Sequence, residues 1–322
     1  MITIAGAGVA GLACAYELSR RGASVTVYET GASPADNPCS WFAGGMLAPW
    51  CEGETAAPEV VRLGAGGIDW WRQITHVETR GTLVVTPPRD RAELTRFARR
   101  TEHHRLIGSD DLAALEPALA GRFNQALYFA DEAHLDPRQA LIDLTRRVQE
   151  LGTEIRYETP APGHVDVDCR GMAADLPDLR PVRGEMALIM APDVAITRTI
   201  RLLHPRIPLY LVPRGKGIYM IGATMIESGS TRPVSLRSML ELLGAAFALH
   251  PGLGEANVIE TGVGLRPALA DNVPRLMRHG KTLHVNGLYR HGFLLAPALA
   301  GQLATHFFQE QIDENHSERR TA

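Results

Sequence analysis

A chain of 322 residues, 45% hydrophobic and 21% charged, has the composition of a folded globular protein with one large or two ordinary domains. Its formal charge of −3 and pI near 6.5 provide no basic footprint for nucleic acid or an anionic membrane surface, and no apolar run is long enough for a membrane span. The four cysteines, Cys14, Cys39, Cys51 and Cys169, have neither metal-ligand spacing nor a disulfide pattern, so a metal-free, cytoplasmic, small-molecule protein is expected.

The first 29 residues carry the densest signal. An apolar strand, 2–5, runs into Gly6, Gly8 and Gly11, then a helix, then a second strand, 24–28, that ends at Glu29. Gly6 suits a tight turn, Gly8 a close backbone approach to a pyrophosphate, and Gly11 close helix–strand packing. Phosphates would sit on the amides of the helix start, around Val9 and Ala10. A carboxylate at Glu29, followed by Thr30, suits both hydroxyls of an adenosine ribose and repels a 2′-phosphate, which favours FAD or NAD over NADP. With this strand opening at Ile2, no signal peptide is expected.

A glycine-rich segment, 39–49, follows, then a helix over 58–71, a strand over 78–87, helical stretches over 88–102 and 110–115, and an extended segment, 126–129. Asp136 as N-cap and Pro137 at the first helical position open a helix that runs to Gly152, with Leu141, Leu144 and Val148 on its apolar face. Strands are expected over 153–157, 164–171, 185–190, 209–213 and 217–222, the last two as a hairpin across Arg214–Gly217. A helix over 235–249, strands over 258–265 and 283–286, and an apolar helix over 297–309 complete the chain, leaving a polar tail. The basic residues are 31 arginines and two lysines, Lys216 and Lys281, both beside glycine in turns, so buried-lysine chemistry has no good candidate.

Taken together and in order, Gly6–Gly11, Ala43–Pro49, Gly222–Met225, Gly264–Pro267 and His291–Pro297 resemble the motifs of the D-amino-acid oxidase family of flavoproteins, and within it the glycine oxidases of the thiamine pathway. The resemblance runs from Met1 to about Phe308. It implies an α/β fold in which a Rossmann-like FAD-binding domain on a parallel sheet (residues 1–76, 134–186 and 257–322) interleaves with an α+β substrate domain on a mixed, largely antiparallel sheet (77–133 and 187–256). The family's β-meander is reduced to the short segment 158–164. No cysteine follows Cys169, where relatives that tether their flavin carry one, so the FAD is expected to be non-covalent.

The same resemblance implies site residues. Arg266 would clamp a substrate carboxylate, Tyr210 would hydrogen-bond it, and Met225, Met46 and Arg290 would complete the substrate site. Cofactor contacts would come from Gly6, Gly8, Val9, Ala10, Gly11, Glu29, Thr30, Gly44, Gly45, Met46, Gly171, Arg266 and the run His291, Gly292, Phe293, Leu294 and Leu295, whose amides open the last helix. No side-chain acid or base is required. The implied reaction is oxidation of glycine, and of small amines such as sarcosine, to the imine with reduction of oxygen to peroxide. Thiazole synthase is the expected consumer of the imine, and a homo-oligomer is expected. A D-amino-acid, sarcosine or proline oxidase or dehydrogenase remains open, as does a flavin domain for tRNA modification, which the acidic balance disfavours.

Overall fold

The computed structural model describes residues 1–203 and 208–321, with side chains described through Gln309. Two large sheets organise it. The first has six strands in the order Arg275–His279, Thr282–Asn286, Val167–Asp168, Ile2–Ala5, Val25–Tyr28 and Glu154–Arg156. All neighbours are parallel except the edge pair Arg275–His279 with Thr282–Asn286. Parallel strands need both faces covered, and the central strand Ile2–Ala5 accordingly holds Ile4 and Ala5 fully buried. Helices Val9–Ser19, Pro137–Glu150 and Gly292–Thr321 pack together over this sheet, and their apolar residues form one core with its strands.

The second sheet has nine strands. Its longest pair is Arg180–Met190 antiparallel to Asn257–Ala268, and only Thr82–Val85 beside Thr199–Leu202 is parallel. A separate core of residues from 83–126 and 187–253, including Leu242, Ala245 and Leu249 of helix Leu236–Leu249, fills the space on one side of it. The sheet is therefore mixed and largely antiparallel, as expected. Between Arg156 and Val167 no strand forms, so the chain crosses directly from one edge of the parallel sheet to its middle.

Local signals placed several elements well. The side chain of Asp136 accepts hydrogen bonds from the Arg138 and Gln139 amides, and the helix begins at Pro137. Strands Leu209–Gly215 and Ile218–Gly222 form the expected hairpin, with Gly215, Lys216 and Gly217 all at positive φ. The expected helix over 58–71 is instead two, Pro58–Gly64 and Gly67–Arg72, broken at Ala65–Gly66 within a glycine-rich stretch. The strand expected over 78–87 is only Thr82–Val85, and 88–102 holds a 3-10 turn and the helix Arg91–Ala98. Strands Arg105–Gly108, Thr199–Leu202 and Arg275–His279 were not anticipated.

The last helix starts at Gly292, within the His291–Leu295 run that the resemblance assigned to its opening and five residues before Pro297, where the apolar pattern began it, and extends to Thr321. Proline inside a helix leaves the carbonyl four residues earlier without its amide donor. That carbonyl is Phe293 O, and the indole Nε1–H of the fully buried Trp71 donates to it at 2.7 Å. A side chain thus supplies the bond that Pro297 cannot make. Trp71→Phe should lower unfolding stability by about 1–3 kcal/mol through the orphaned carbonyl. Adding Pro297→Ala, whose amide can take over, should recover part of that loss in a double-mutant denaturation cycle. Strictly additive effects would show that the indole bond contributes nothing.

Candidate active site

A cavity of about 780 Å³ lies between the two sheets, with walls from both. One end is the turn out of strand Ile2–Ala5. Gly6 has φ +95°, and a Cβ at Gly11 would lie 1.8 Å from the Gly6 carbonyl oxygen, so only glycine lets the helix Val9–Ser19 sit this close to the strand. Gly8 precedes that helix without any side-chain cap, and of its first amides Val9 donates to Ser40 Oγ at 3.2 Å. The helix therefore presents largely uncapped N–H groups to the cavity, an arrangement suited to phosphate oxygens.

Glu29 ends the neighbouring strand and is buried. Its carboxylate accepts from the Ala7 amide (2.7 Å), the Gly31 amide (2.9 Å), and at 3.3 Å from both Thr30 Oγ1 and Asn37 Nδ2. The two backbone donors fix the carboxylate in place, while the Thr30 hydroxyl and Asn37 amide lie on side chains that can turn aside for sugar hydroxyls. A second helix N-terminus opens on the same cavity at Gly292, Phe293 and Leu294. A Cβ at Gly292 would lie 3.4 Å from Val9 Cγ1, so the two helix starts are neighbours.

Of the expected site residues, all line this cavity except Gly11, which is covered by Gly6, and Leu295, whose amide bonds to His291 O inside the last helix. The segment Ala43–Gly44 is held by Arg214, which donates to the Ala43, Gly44 and Leu135 carbonyls at 2.8–3.2 Å. Met225 is 45% exposed at the cavity mouth, in contact with Tyr289 and Arg290.

The charged groups are less even than the sequence suggests. Arg290 lies 2.6 Å from Glu52 Oε2 and also donates to Thr55 Oγ1 at 2.7 Å. Tyr210 Oη donates to Glu52 Oε1 at 3.3 Å, and His291 Nδ1 is 3.7 Å from Oε2. Burial alone would raise the Glu52 pKa, but Arg290, His291, Arg201 and the Tyr210 hydroxyl overcome it and hold it at about 2. Burial pushes His291 down to about 4 despite Glu52, so its ring is neutral at pH 7. Arg170 pairs with Asp168 at 2.6 Å. Arg266 is different: it donates to Thr224 O at 2.8 Å, and no carboxylate among the described residues pairs with it. Its guanidinium lies flat against Gly184, where a Cβ would sit 2.3 Å from Nη2, and burial lowers its pKa.

Glu52 escaped the sequence reading because its partners are up to 239 residues away and no local spacing marks it. Among the described residues, no group of His, Cys, Asp and Glu is arranged to hold a metal ion, and no helix is long and apolar enough to cross a membrane. The cradle does fit a flavin dinucleotide, with uncapped amides at one end, a carboxylate able to accept from ribose hydroxyls beside them, and a second helix N-terminus further along.

Comparison with known proteins decides the family. The family described as FAD dependent oxidoreductase (DAO) matches residues 1–306. The chain belongs to it. A relative from Rhizobium etli, "Putative thiamine biosynthesis oxidoreductase ThiO", is 52% identical over 318 residues, 96% of this chain and 97% of its own. The crystal structure of glycine oxidase from Bacillus cereus superposes with a TM-score of 0.81 at 20% identity, over 96% of this chain and 95% of that one. The "Bifunctional protein ThiO/ThiG" of Trichormus variabilis is 24% identical over 97% of this chain, which corresponds to 53% of that longer protein. This flavin-dependent oxidoreductase therefore has the glycine oxidase fold over nearly its whole length.

One buried acid near the site makes a pH prediction. Glu132 is fully buried, accepts from the Cys51 amide at 2.6 Å, and is pushed up to about 8 by burial. Its folded pKa exceeds its unfolded value of about 4.3, so the native state holds a proton that the unfolded state releases, and stability falls as pH rises between them. Glu132→Gln keeps an acceptor without the proton. It should match wild type near pH 4 and become more stable than wild type by pH 8, as read by denaturant midpoints. Parallel pH profiles would contradict this account.

Proposed function

We propose that the protein oxidises the amine of glycine, with oxygen as electron acceptor and peroxide as product, and supplies the imine to thiazole synthesis in thiamine formation. The observation that carries the reading is Arg266, a half-buried guanidinium without a carboxylate partner among the described residues, in the same cavity as the dinucleotide cradle. A very small amino acid offers little apolar surface, so its carboxylate must provide most of its anchoring, and a planar guanidinium can grip it with two parallel hydrogen bonds. FAD, when bound, would take the hydride from the α-carbon.

The chain's own groups then orient and screen. Arg266 holds the carboxylate, while Tyr210, Met46 and Met225 line the adjoining wall. Glu52, with its pKa held at about 2, and His291, at about 4, are poor proton acceptors at neutral pH. The ammonium must therefore lose its proton to solvent before oxidation, in keeping with a site that needs no side-chain base. The two helix N-termini place positive potential where phosphates and an electron-rich ring would lie.

Several finer assignments belong to the same reading. The proposed division is a discontinuous FAD domain (1–76, 134–186, 257–322) and a substrate domain (77–133, 187–256), although strand Asn257–Ala268 and the first part of Arg180–Met190 pair within the mixed sheet. The cytoplasm suits its four free cysteines. Thiazole synthase is the proposed consumer of the imine, supported by the relative in which a similar chain forms half of a bifunctional protein. The exposure of Met225 at the mouth favours a second reading, in which sarcosine or a D-amino acid is also accepted.

FAD is proposed to be non-covalent, because no cysteine follows Cys169, in the part of the chain where the flavin-tethering relatives carry theirs. Acid precipitation should release all of the yellow chromophore; colour left in the pellet would identify a covalent link. For substrate anchoring, Arg266→Ala should leave FAD bound but reduce kcat/KM for glycine by about 30-fold to several thousand-fold, the cost of removing one partner of a desolvated charge pair. Arg266→Lys should fall between, since it keeps charge and loses the fork. Turnover of glycine by Arg266→Ala within a few-fold of wild type would locate the anchor elsewhere.

A further inference from the structure

Three arginines line the cavity, and their charge states of pairing differ. Arg170 is paired with Asp168 at 2.6 Å and Arg290 with Glu52 at 2.6 Å, whereas Arg266 has only a backbone carbonyl. Glu52 is itself a cavity residue, 5% exposed, gripped from one side by Arg290 and from the other by the Tyr210 hydroxyl. A carboxylate in this position does two things. It cancels the Arg290 charge, and it sets a fixed negative charge against any second anionic group on a ligand.

We propose that Glu52 is the charge-selecting residue of the site: by occupying Arg290 it leaves Arg266 as the one guanidinium open to a ligand among the described cavity residues, so the site favours amino acids with a single carboxylate over dicarboxylates. This rests on the amino-acid reading of the cavity given above. The Glu52 carboxylate stays ionised throughout the neutral range because the Arg290 and Arg201 charges and the Tyr210 hydroxyl outweigh its burial, so the selection does not relax near pH 7. Glu52 has no direct part in bond breaking. It acts through Arg290 and through its own charge.

The test uses the FAD-loaded protein and two non-reacting probes, acetate and malonate, with dissociation constants measured by calorimetry and by the change in the flavin visible spectrum. In Glu52→Gln the guanidinium of Arg290 loses its counter-charge, and the preference for malonate over acetate should rise by about 10-fold or more relative to wild type. Arg290→Gln in that background should return the ratio to near the wild-type value. Arg290→Gln alone leaves Glu52 uncompensated and should push the ratio the other way, by about 10-fold against malonate. This second variant keeps the proposal open to refutation should Glu52→Gln not fold. A malonate-to-acetate ratio unchanged in whichever of the two single variants folds would overturn the proposal while leaving the amino-acid reading intact. If wild type binds neither probe, the amino-acid reading fails, and the proposal with it.

Discussion

The closeness of Gly11 to the Gly6 carbonyl is the constraint on which the site depends. Any side chain at Gly11 would collide with backbone, so the helix Val9–Ser19 is seated on the central strand of the parallel sheet at a distance that only glycine permits. That seating brings the helix start, without a side-chain cap, to the cavity rim. It also brings Val9 against Gly292, where the last helix begins. Helix amides left without intrahelical partners carry partial positive charge, and here two such ends converge on one cavity from elements nearly 300 residues apart in sequence. The positive potential in the site thus comes first from backbone, and side chains refine it.

Side-chain charge is organised on a different principle, that of mutual neutralisation under burial. Glu52, Arg201 and Tyr210, all buried, form a continuous group with the half-buried Arg290, with the Arg201 guanidinium over the Tyr210 ring at 5.1 Å and bonded to Glu54 at 3.2 Å. Taking such charges from water is expensive unless each finds a partner, so the network is stable as a unit and fragile to single deletions. Arg266 stands outside it. Its desolvated charge is offset by one carbonyl, at Thr224, and such an unbalanced group is where a bound anion would bring the largest relief.

How much of this was legible in the sequence depended on how local the cause was. The Gly6–Glu29 unit, the Asp136 cap with Pro137, and the hairpin at Arg214–Gly217 each arise from neighbours in sequence, and each was found. Arg105–Gly108 and Arg275–His279 lack apolar alternation and become strands through pairing with Gln125–Phe129 and Thr282–Asn286, a cause that composition does not carry. The apolar pattern alone misplaced the start of the last helix because Pro297 reads as a first-turn proline, whereas the motif resemblance put its opening amides at His291–Leu295; the distant Trp71 makes the interior proline tolerable there. Most expected cavity residues were identified through motif resemblance. Glu52, at the end of the short helix Pro49–Glu52, carried no motif, and its importance exists only once residues 201, 210, 290 and 291 surround it.

The second sheet explains why the guanidinium without a carboxylate partner can be both half-buried and aimed. Arg266 lies near the end of the twelve-residue strand Asn257–Ala268, opposite Val182 and two residues from the Gly184↔Gly264 pair. Gly184 leaves a flat recess in the facing strand, and the guanidinium lies across it, while the Thr224 carbonyl fixes one edge of the fork. With one edge bonded and one face packed, the side chain loses most of its rotamer freedom in the folded protein itself. Ordering a long arginine on binding would otherwise cost on the order of 1 kcal/mol or more. A ligand with few atoms has little interaction energy to spare for that cost, so prior restraint of Arg266 by strand register and a glycine recess is what makes a small anionic ligand holdable at this position.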